Sequence, residues 1–499
     1  MDKNLLASVD IGSNSFRILI AKLHEDGTLQ QIDQLKETVR LAGGLDANNN
    51  LTKESQLLAL EVLSRFSERL VGFHHDQVRV VATSTLRVAK NAYEFIPIAN
   101  KILGFDIEVI SGVEEARLIY IGAMHSLAYT KDRRLVIDIG GGSTEFIIGS
   151  GYDPEIMESV TMGCVSFSKK YFINGEMTEQ NFDNAIYAAR GKIQTMEHLF
   201  VKQKWVASIG TSGTSKSLYD MCIANELADS ITLDGMYKLR KILIKNKNSK
   251  NFDIPGLKED RNPVIAGGLA IMIAIFEEFK INEMTIADGS LREGVLYDLI
   301  GRTTDKDLRI TTVERLQKRV SLDLEQAHRV AKTALMLLRS LVNNNDFDSN
   351  YYKLMNWAAN LYEIGLAISH NDYHKHGAYI LDNADLAGFS KPEQSILADL
   401  VRSHRGSVVK ACESISERRK LRMRFIIMII SLRLSVILNR NRKDLDSDVI
   451  KSIKVISKSG MEMIICSKWL QQNPLTYYSL KEEAEQWEKN NITINIVGR

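Results

Sequence analysis

The chain has 499 residues, 44% of them apolar and 25% charged, and its 64 Lys plus Arg against 62 Asp plus Glu leave a net charge of +2. That length exceeds what one core organises, so two to four domains are expected, and the even balance excludes a global attraction to polyanions. Cys164, Cys222, Cys412 and Cys466 show no paired spacing, which argues against a disulfide framework or zinc knuckle and fits a reducing, cytoplasmic setting.

Met1 to Asn4 run straight into strand-like sequence, leaving no room for an export signal. Leu5-Ala7-Val9 leads to Gly12-Ser13-Asn14, Phe16-Ile18-Ile20 follows, Gly27 turns the chain and another strand starts near Gln30, a pattern that predicts a β-meander. Leu51-Thr52 opens a helix with Leu57, Leu60, Leu63 and Leu70 at helical spacing, and Val78 to Ala82 reads as a buried strand. The alternation of strands and helices points to an α/β class.

Asp10-Ile11-Gly12-Ser13-Asn14-Ser15 reappears as Asp138-Ile139-Gly140-Gly141-Gly142-Ser143, each copy between apolar strands, which suggests two lobes of one design. A strand ending in Asp, followed by glycines and hydroxyl residues, gathers backbone N–H groups around a turn where nothing bulky blocks an oxyanion. The aspartates would repel a phosphate, so Asp10 and Asp138 are expected to act through a cation, Mg²⁺ by preference, or on water. Glu145, after Ser143-Thr144, reads equally as a further metal-linked carboxylate or an outward strand residue. A third loop, Gly210-Thr211-Ser212-Gly213-Thr214, follows the apolar Val206 to Ile209. Arg87 follows Thr83-Ser84-Thr85, where hydroxyls, helix N–H groups and a guanidinium can converge on phosphate; the alternative is a surface ion pair.

These loops, together with Ile110-Ser111-Gly112-Val113-Glu114-Glu115-Ala116-Arg117 and Asp288-Gly289-Ser290-Leu291-Arg292-Glu293-Gly294, resemble the Ppx/GppA family of exopolyphosphatases and guanosine pentaphosphate phosphohydrolases over nearly the whole chain. The resemblance implies two ribonuclease-H-like lobes of the actin/Hsp70/sugar-kinase kind, hydrolysis of terminal phosphoanhydrides, Mg²⁺ dependence and a homodimer. The lobes are expected at 1–124 and 125–305, with a helical, degenerate HD-like region at 306–499. Ser111 and Glu114 form a capping box, which gives Glu114 a structural task. Glu115, about a hundred degrees further round the helix, is free to face a cleft and matches the family's catalytic carboxylate, here expected as general base. Arg87 is similar to a substrate contact of the family. Arg292, an expected phosphate contact, and Glu293 are suited to pair and brace the cleft, with the way they face left open, and Cys164 is read as a packed small residue.

Polar 302–307 marks a boundary, beyond which helical periodicity dominates. His328, His370, His374, His376 and His404 resemble an HD-type domain, but Tyr362-Glu363 stand where its His-Asp pair would be, so the histidines are read as structural or as phosphate contacts. Phe425 to Leu432, the longest apolar run, is far short of a bilayer span, so no membrane insertion is expected, with peripheral association left open. Twelve Lys or Arg between Val401 and Lys443 oppose only Glu413 and Glu417, an excess suited to a channel for a long polyanion or to unspecific RNA contact, without the aromatic platform of a nucleic-acid binder.

The leading expectation is an exopolyphosphatase. Its rival within the family is a guanosine pentaphosphate (pppGpp) phosphohydrolase; Gly142 tips toward polyphosphate, because the family's guanosine pentaphosphatases often carry Ala there. From other classes, the fold also suits an ATP-binding sugar-kinase-like or actin-like protein, or a silent sensor of polyphosphate or alarmones.

Overall fold

The computed structural model describes residues 4–499 apart from 26, 249–252, 304–306, 343–348, 411–421 and 458, so Cys412 and the cations at 418–420 lie outside the described residues. The chain divides into two compact units, the first ending at Asp307 and the second beginning at Leu308.

In the first unit, β1 (Leu5–Ile11), β2 (Ser15–Leu23), β3 (Leu29–Thr38), β4 (Val78–Ala82) and β5 (Ile107–Val109) form one sheet in the order β3-β2-β1-β4-β5. The first three strands make an antiparallel meander, and β4 and β5 add in parallel. A second sheet repeats the design. Its meander is β6 (Arg133–Ile139), β7 (Thr144–Ser150) and β8 (Asp153–Val160), and β9 (Ala207–Thr211) and β11 (Glu283–Ile286) add in parallel to β6. The two-residue β10 (Ile231–Thr232) closes the edge, for an order of β10-β11-β9-β6-β7-β8. The sequence repeat is thus a repeat of topology, and Asp10 and Asp138 occupy equivalent places near the ends of β1 and β6.

Strand Val78–Ala82 is buried on both faces, as a continuous apolar run in a parallel position requires. The Lys53–Arg69 helix turns three of its four expected leucine positions to the core, with Leu63 and Leu70 buried and Leu60 packed beside them. Ala59, Val62, Leu63 and Phe66 pack on the first sheet while Leu57 is 63% exposed. Helix Ile265–Phe279 is apolar on every side and correspondingly buried along almost its full length in the core of the second sheet.

Helices Gly112–His125 and Leu291–Thr303 cross at contact distance. A Cβ on Gly294 would lie 1.8 Å from the Leu118 carbonyl oxygen, and one on Gly122 would lie 1.9 Å from that of Ser290. The glycine ending the 288–294 motif is therefore required by helix packing. Leu296 and Leu299 of the second helix share an apolar cluster with Leu6, Leu19 and Ala21, so the last helix of the expected second lobe packs on the first sheet.

The second unit is built on helices Leu308–Arg319, Leu324–Leu341, Ser349–Asn360, Tyr373–Asn383, Lys391–Ser403, Arg422–Leu438 and Pro474–Glu488 around one apolar core. It also carries a three-stranded sheet that the helical periodicity did not announce, β12 (Ile450–Ser457), β13 (Gly460–Ile465) and β14 (Thr493–Gly498). Phe425–Leu432 lies within a helix, and no helix among the described residues is long and apolar enough to cross a membrane.

Among the described residues, part of the basic run is paired. Arg433 is buried against Glu483, Arg442 pairs with Asp323 and Glu363, and Arg402 lies 3.6 Å from Asp382. His404 is buried, its ring nitrogens within reach of the Val401 carbonyl and the Tyr373 hydroxyl, and burial lowers it to about 3. His328, His370 and His376 are at or near the surface.

Candidate active site

The two Asp-Gly turns and the third loop converge on one cleft of ≈ 100 Å³ in the first unit. Asp10, Gly12, Ser13, Asn14 and Ser15 line it from one sheet; Asp138, Gly140, Gly141, Gly142, Ser143, Ser212 and Gly213 line it from the other. Glu115 and Arg292 complete the set of expected residues on its wall. Short hydroxyl residues follow each aspartate, so the turns stay narrow and their N–H groups stay accessible to an oxyanion.

Hydrogen bonds fix the loops. Asp138 Oδ2 accepts from the hydroxyls of Thr211 (2.7 Å), Ser290 (3.0 Å) and Ser212, which holds the carboxylate still between β6, β9 and the 288–294 segment. Ser212 takes φ 62°, a left-handed conformation that costs a serine on the order of 1 kcal/mol and that is over-determined here by its bonds to Asp138 and Ser290. Thr85 Oγ1 donates to Ser13 Oγ at 2.8 Å, tying the first loop to the short helix Ser84–Val88.

Four of the expected phosphate contacts and one expected metal ligand stand behind this wall. Thr144 is fully buried and donates to the Met162 carbonyl, Thr214 donates to the Ile139 carbonyl (3.0 Å), and Gly210 sits within β9 against Ser215 and Met284. These three shape the loops from the rear. Arg87 reaches Glu115 instead of the cleft lining, with Nη1 donating to Glu115 Oε2 (3.2 Å) and to the Ile110 carbonyl (2.9 Å). Glu145 faces inward, fully buried beside Ser159, whose hydroxyl donates to it at 2.8 Å; it does not line the cleft. Its position on β7 opposite Asp138 puts both carboxylates on the same face of the sheet, next to Glu115, although Glu145 itself is covered.

Glu115 rides on the first turn of the Gly112–His125 helix, capped by Ser111, whose Oγ accepts from Glu114 N at 3.1 Å. Glu114 performs structural work, as expected, but through a fork-to-fork pair with Arg117 (2.8 and 2.7 Å). That pairing fixes the helix one residue from Glu115. Burial pushes the Glu115 carboxyl up to about 7; Arg87 pulls against this, and Asp10 and Asp138 add to it. Burial likewise lifts Asp10 to about 6, opposed by Arg17 and Arg292. Glu145 is raised by burial and by Glu115 and Asp138. Cys164, on the cleft wall, is raised by burial, so it stays a thiol.

Two cleft arginines escaped the sequence reading. Arg17 stands directly across from Asp10 in the β1–β2 register, and burial together with Arg292 lowers its pKa. Arg261 comes from a short turn, Glu259–Arg261, and lies over Gly213 so closely that a Cβ there would fall 1.2 Å from Nη2. A side chain at 213 would push that guanidinium from its place. Three arginines facing one small cleft repel each other and favour a bound anion.

Among the described residues no three His, Cys, Asp or Glu come together as a metal-binding set. The cleft nonetheless fits a hard cation shared with substrate oxygens, because Asp10 Oδ1 is buried without a partner and Asp138 lies on the same wall. A second cavity of ≈ 430 Å³ adjoins the cleft through Arg17, Ser212, Gly213, Arg261, Ser290 and Arg292, and adds Lys36, Lys216 and Lys258.

Comparison with known proteins identifies the family. The model of the Ppx/GppA phosphatase family matches residues 19–303, and that of Ppx/GppA phosphatase domain III matches 308–484. A guanosine-5'-triphosphate,3'-diphosphate pyrophosphatase from Pseudoalteromonas translucida is 38% identical over 98% of this chain and 97% of its own length. An exopolyphosphatase structure from Cytophaga hutchinsonii matches at 26% identity and TM-score 0.54, covering 60% of this chain and 98% of that one. A Ppx/GppA family member from Aquifex aeolicus matches at 25% identity and TM-score 0.50, over 60% of this chain and 98% of its own. With the duplicated Asp-Gly loops, the actin-like pair of sheets and a helical second unit all accounted for along its length, the chain belongs to the Ppx/GppA phosphatase family.

Proposed function

We propose that the chain hydrolyses the 5'-terminal phosphoanhydride of pppGpp, releasing orthophosphate. The observation that carries the substrate is the 38% identity, end to end, with a relative named for that compound. The cavity adjoining the cleft supports it, since a nucleotide tail needs room and cations beyond the terminal phosphate. The alternative, exopolyphosphatase action, draws on the Cytophaga structure, which matches only 60% of the chain. Gly142 is the residue that leans towards it, and a Cβ there would lie 2.7 Å from Ser84 Oγ.

In this reading the terminal phosphate rests on N–H groups of the Gly12–Ser15 turn and of Gly141–Ser143, since Gly140 N–H closes its own turn on the Ser143 carbonyl, and Arg17, Arg261 and Arg292 neutralise its oxygens. Glu115 takes the proton of the attacking water, and Arg87 keeps its carboxylate oriented. Asp10 and Asp138 would hold Mg²⁺, which when bound supplies charge neutralisation on the phosphate oxygens.

Orthophosphate release from pppGpp and from long-chain polyphosphate, measured side by side, tests the substrate. A higher kcat/KM for pppGpp is expected; cleavage of polyphosphate alone would overturn the reading.

The pH profile tests the base. A general base works when deprotonated, so kcat/KM should climb as pH rises through about 7, where Glu115 loses its proton. Arg87 stabilises the ionised carboxylate, so Arg87→Met should move this limb to higher pH, read from pH–rate profiles of both proteins.

A further inference from the structure

The second unit encloses a cavity of its own, ≈ 740 Å³, lined by residues from Gln326 to Gln486. Its inner end is polar and buried. Gln326 is 1% exposed, and its Nε2 donates to the Tyr362 hydroxyl (3.2 Å) and the Asn439 carbonyl (2.8 Å). Those bonds fix which end of the amide is nitrogen, and they leave Oε1 buried without a partner. A buried acceptor of this kind is costly to leave unmatched, and it repels a phosphate while welcoming an N–H or O–H. Leu366, Val436 and Ile437 supply apolar wall beside it.

The outer part carries four arginines against Glu363, Glu482 and Glu483, with Glu482 bonded to Tyr478, a net positive lining. Of the four arginines on the lining, Arg433 is taken by Glu483, and Arg442 by Glu363 and Asp323. Arg405 and Arg440 are different: both are exposed, and neither forms an ion pair among the described residues. Arg405 lies over the Tyr373 ring at 5.2 Å, and Arg440 donates to Ser479 Oγ at 3.2 Å, contacts that aim two guanidiniums at one cavity without neutralising them. Unpaired guanidiniums suit phosphate oxygens. The volume falls in the range of about 300–1,000 Å³ typical of small-molecule sites.

A cationic mouth, an apolar wall and a buried acceptor at the inner end describe a ligand that is anionic at one end and carries hydrogen-bond donors at the other. We propose that this cavity binds a nucleoside phosphate, its phosphates on Arg405 and Arg440 and an N–H or O–H of its base or ribose on Gln326 Oε1. The site is one of binding, separate from the phosphate cleft of the first unit, and it does not depend on which substrate that cleft cleaves. The phosphate half of this recognition is shared with inorganic oligophosphates; the Gln326 half is not.

Titration calorimetry of the full chain with GDP, and separately with inorganic tripolyphosphate, tests it. GDP is expected to fill a class of sites that weakens by about 100-fold in the Arg405→Ala/Arg440→Ala double variant, the loss of two charge-assisted contacts. Orthophosphate release by that variant should match the wild type, since neither residue belongs to the cleft, and an unchanged melting profile shows that it folds. Gln326→Met should weaken GDP and leave tripolyphosphate unaffected. Identical GDP isotherms for wild type and double variant would overturn the proposal. So would tripolyphosphate binding that depends on both arginines while GDP binding ignores Gln326, which would assign the cavity to inorganic oligophosphate.

Discussion

Replacing Glu115 with glutamine is expected to lower kcat for orthophosphate release by about 10²–10⁴-fold, the range of a positioned general base. Glutamine keeps the length of the side chain and an oxygen for Arg87 Nη1, now 3.2 Å from Glu115 Oε2, so the helix and its neighbours should stay in place. KM separates this outcome from a binding defect. Glu115 stands beside Asp10 and Asp138 on a wall that receives a polyanion, and removing its charge lessens repulsion, so KM should hold steady or fall. A steady-state comparison of the two proteins decides it. Loss confined to kcat supports a proton-transfer role; a rise in KM with kcat preserved would make Glu115 a binding residue and remove the base from the mechanism.

The convergence of the loops on one cleft was legible because the turns depend on backbone. Turns that must present N–H groups to an oxyanion need Gly and short hydroxyl residues in sequence, and both Asp-Gly copies keep that spelling. Glu115 was legible because Ser111 fixes where its helix begins and therefore which way the fourth helical residue points. Arg17 was missed although its signal was present. Attention to the apolar positions Phe16, Ile18 and Ile20 hid the opposite face of β2, where hairpin register sets Arg17 across from Asp10. Arg261 left no local trace at all, since its place over Gly213 arises from a turn 48 residues further along the chain. Part of the basic run is likewise less free than its charge count, while Arg405 and Arg440 stay exposed. Charge counted along the chain ignores partners such as Glu483 and Asp323, which lie 50 and 119 residues from the arginines they neutralise.

The buried ion network around Asp298 carries the largest expected effect on stability. Asp298 accepts from Arg79 Nη1 (2.6 Å), Arg117 Nη2 and Arg302 Nε (2.9 Å), and Arg79 also lies near Glu108 and Glu114. Burial works to raise the Asp298 carboxyl, but Arg117, Arg79 and Arg302 together hold it well below the usual range. Asp298→Ala leaves Arg79 and Arg117 buried with their charge under-compensated, which is expected to destabilise the first unit by about 3–5 kcal/mol. Thermal unfolding of the full chain should show the transition of that unit moving down sharply while the other is retained. Acid should act in the same direction on the wild type. A depressed carboxyl contributes stability above its unfolded pKa of roughly 3.9 and gives it up as pH falls through the folded value, so the gap between wild type and variant should narrow in strong acid. Catalysis should suffer too, because Arg117 holds Glu114 and Glu114 is the neighbour of Glu115 on the same helical turn. Asp298→Glu, which keeps the charge, should recover part of both stability and kcat. A variant that stays as stable as the wild type would mean that the surrounding carboxylates Glu108 and Glu114 suffice for both arginines, and that helix Gly112–His125 is fixed by its glycine crossing alone.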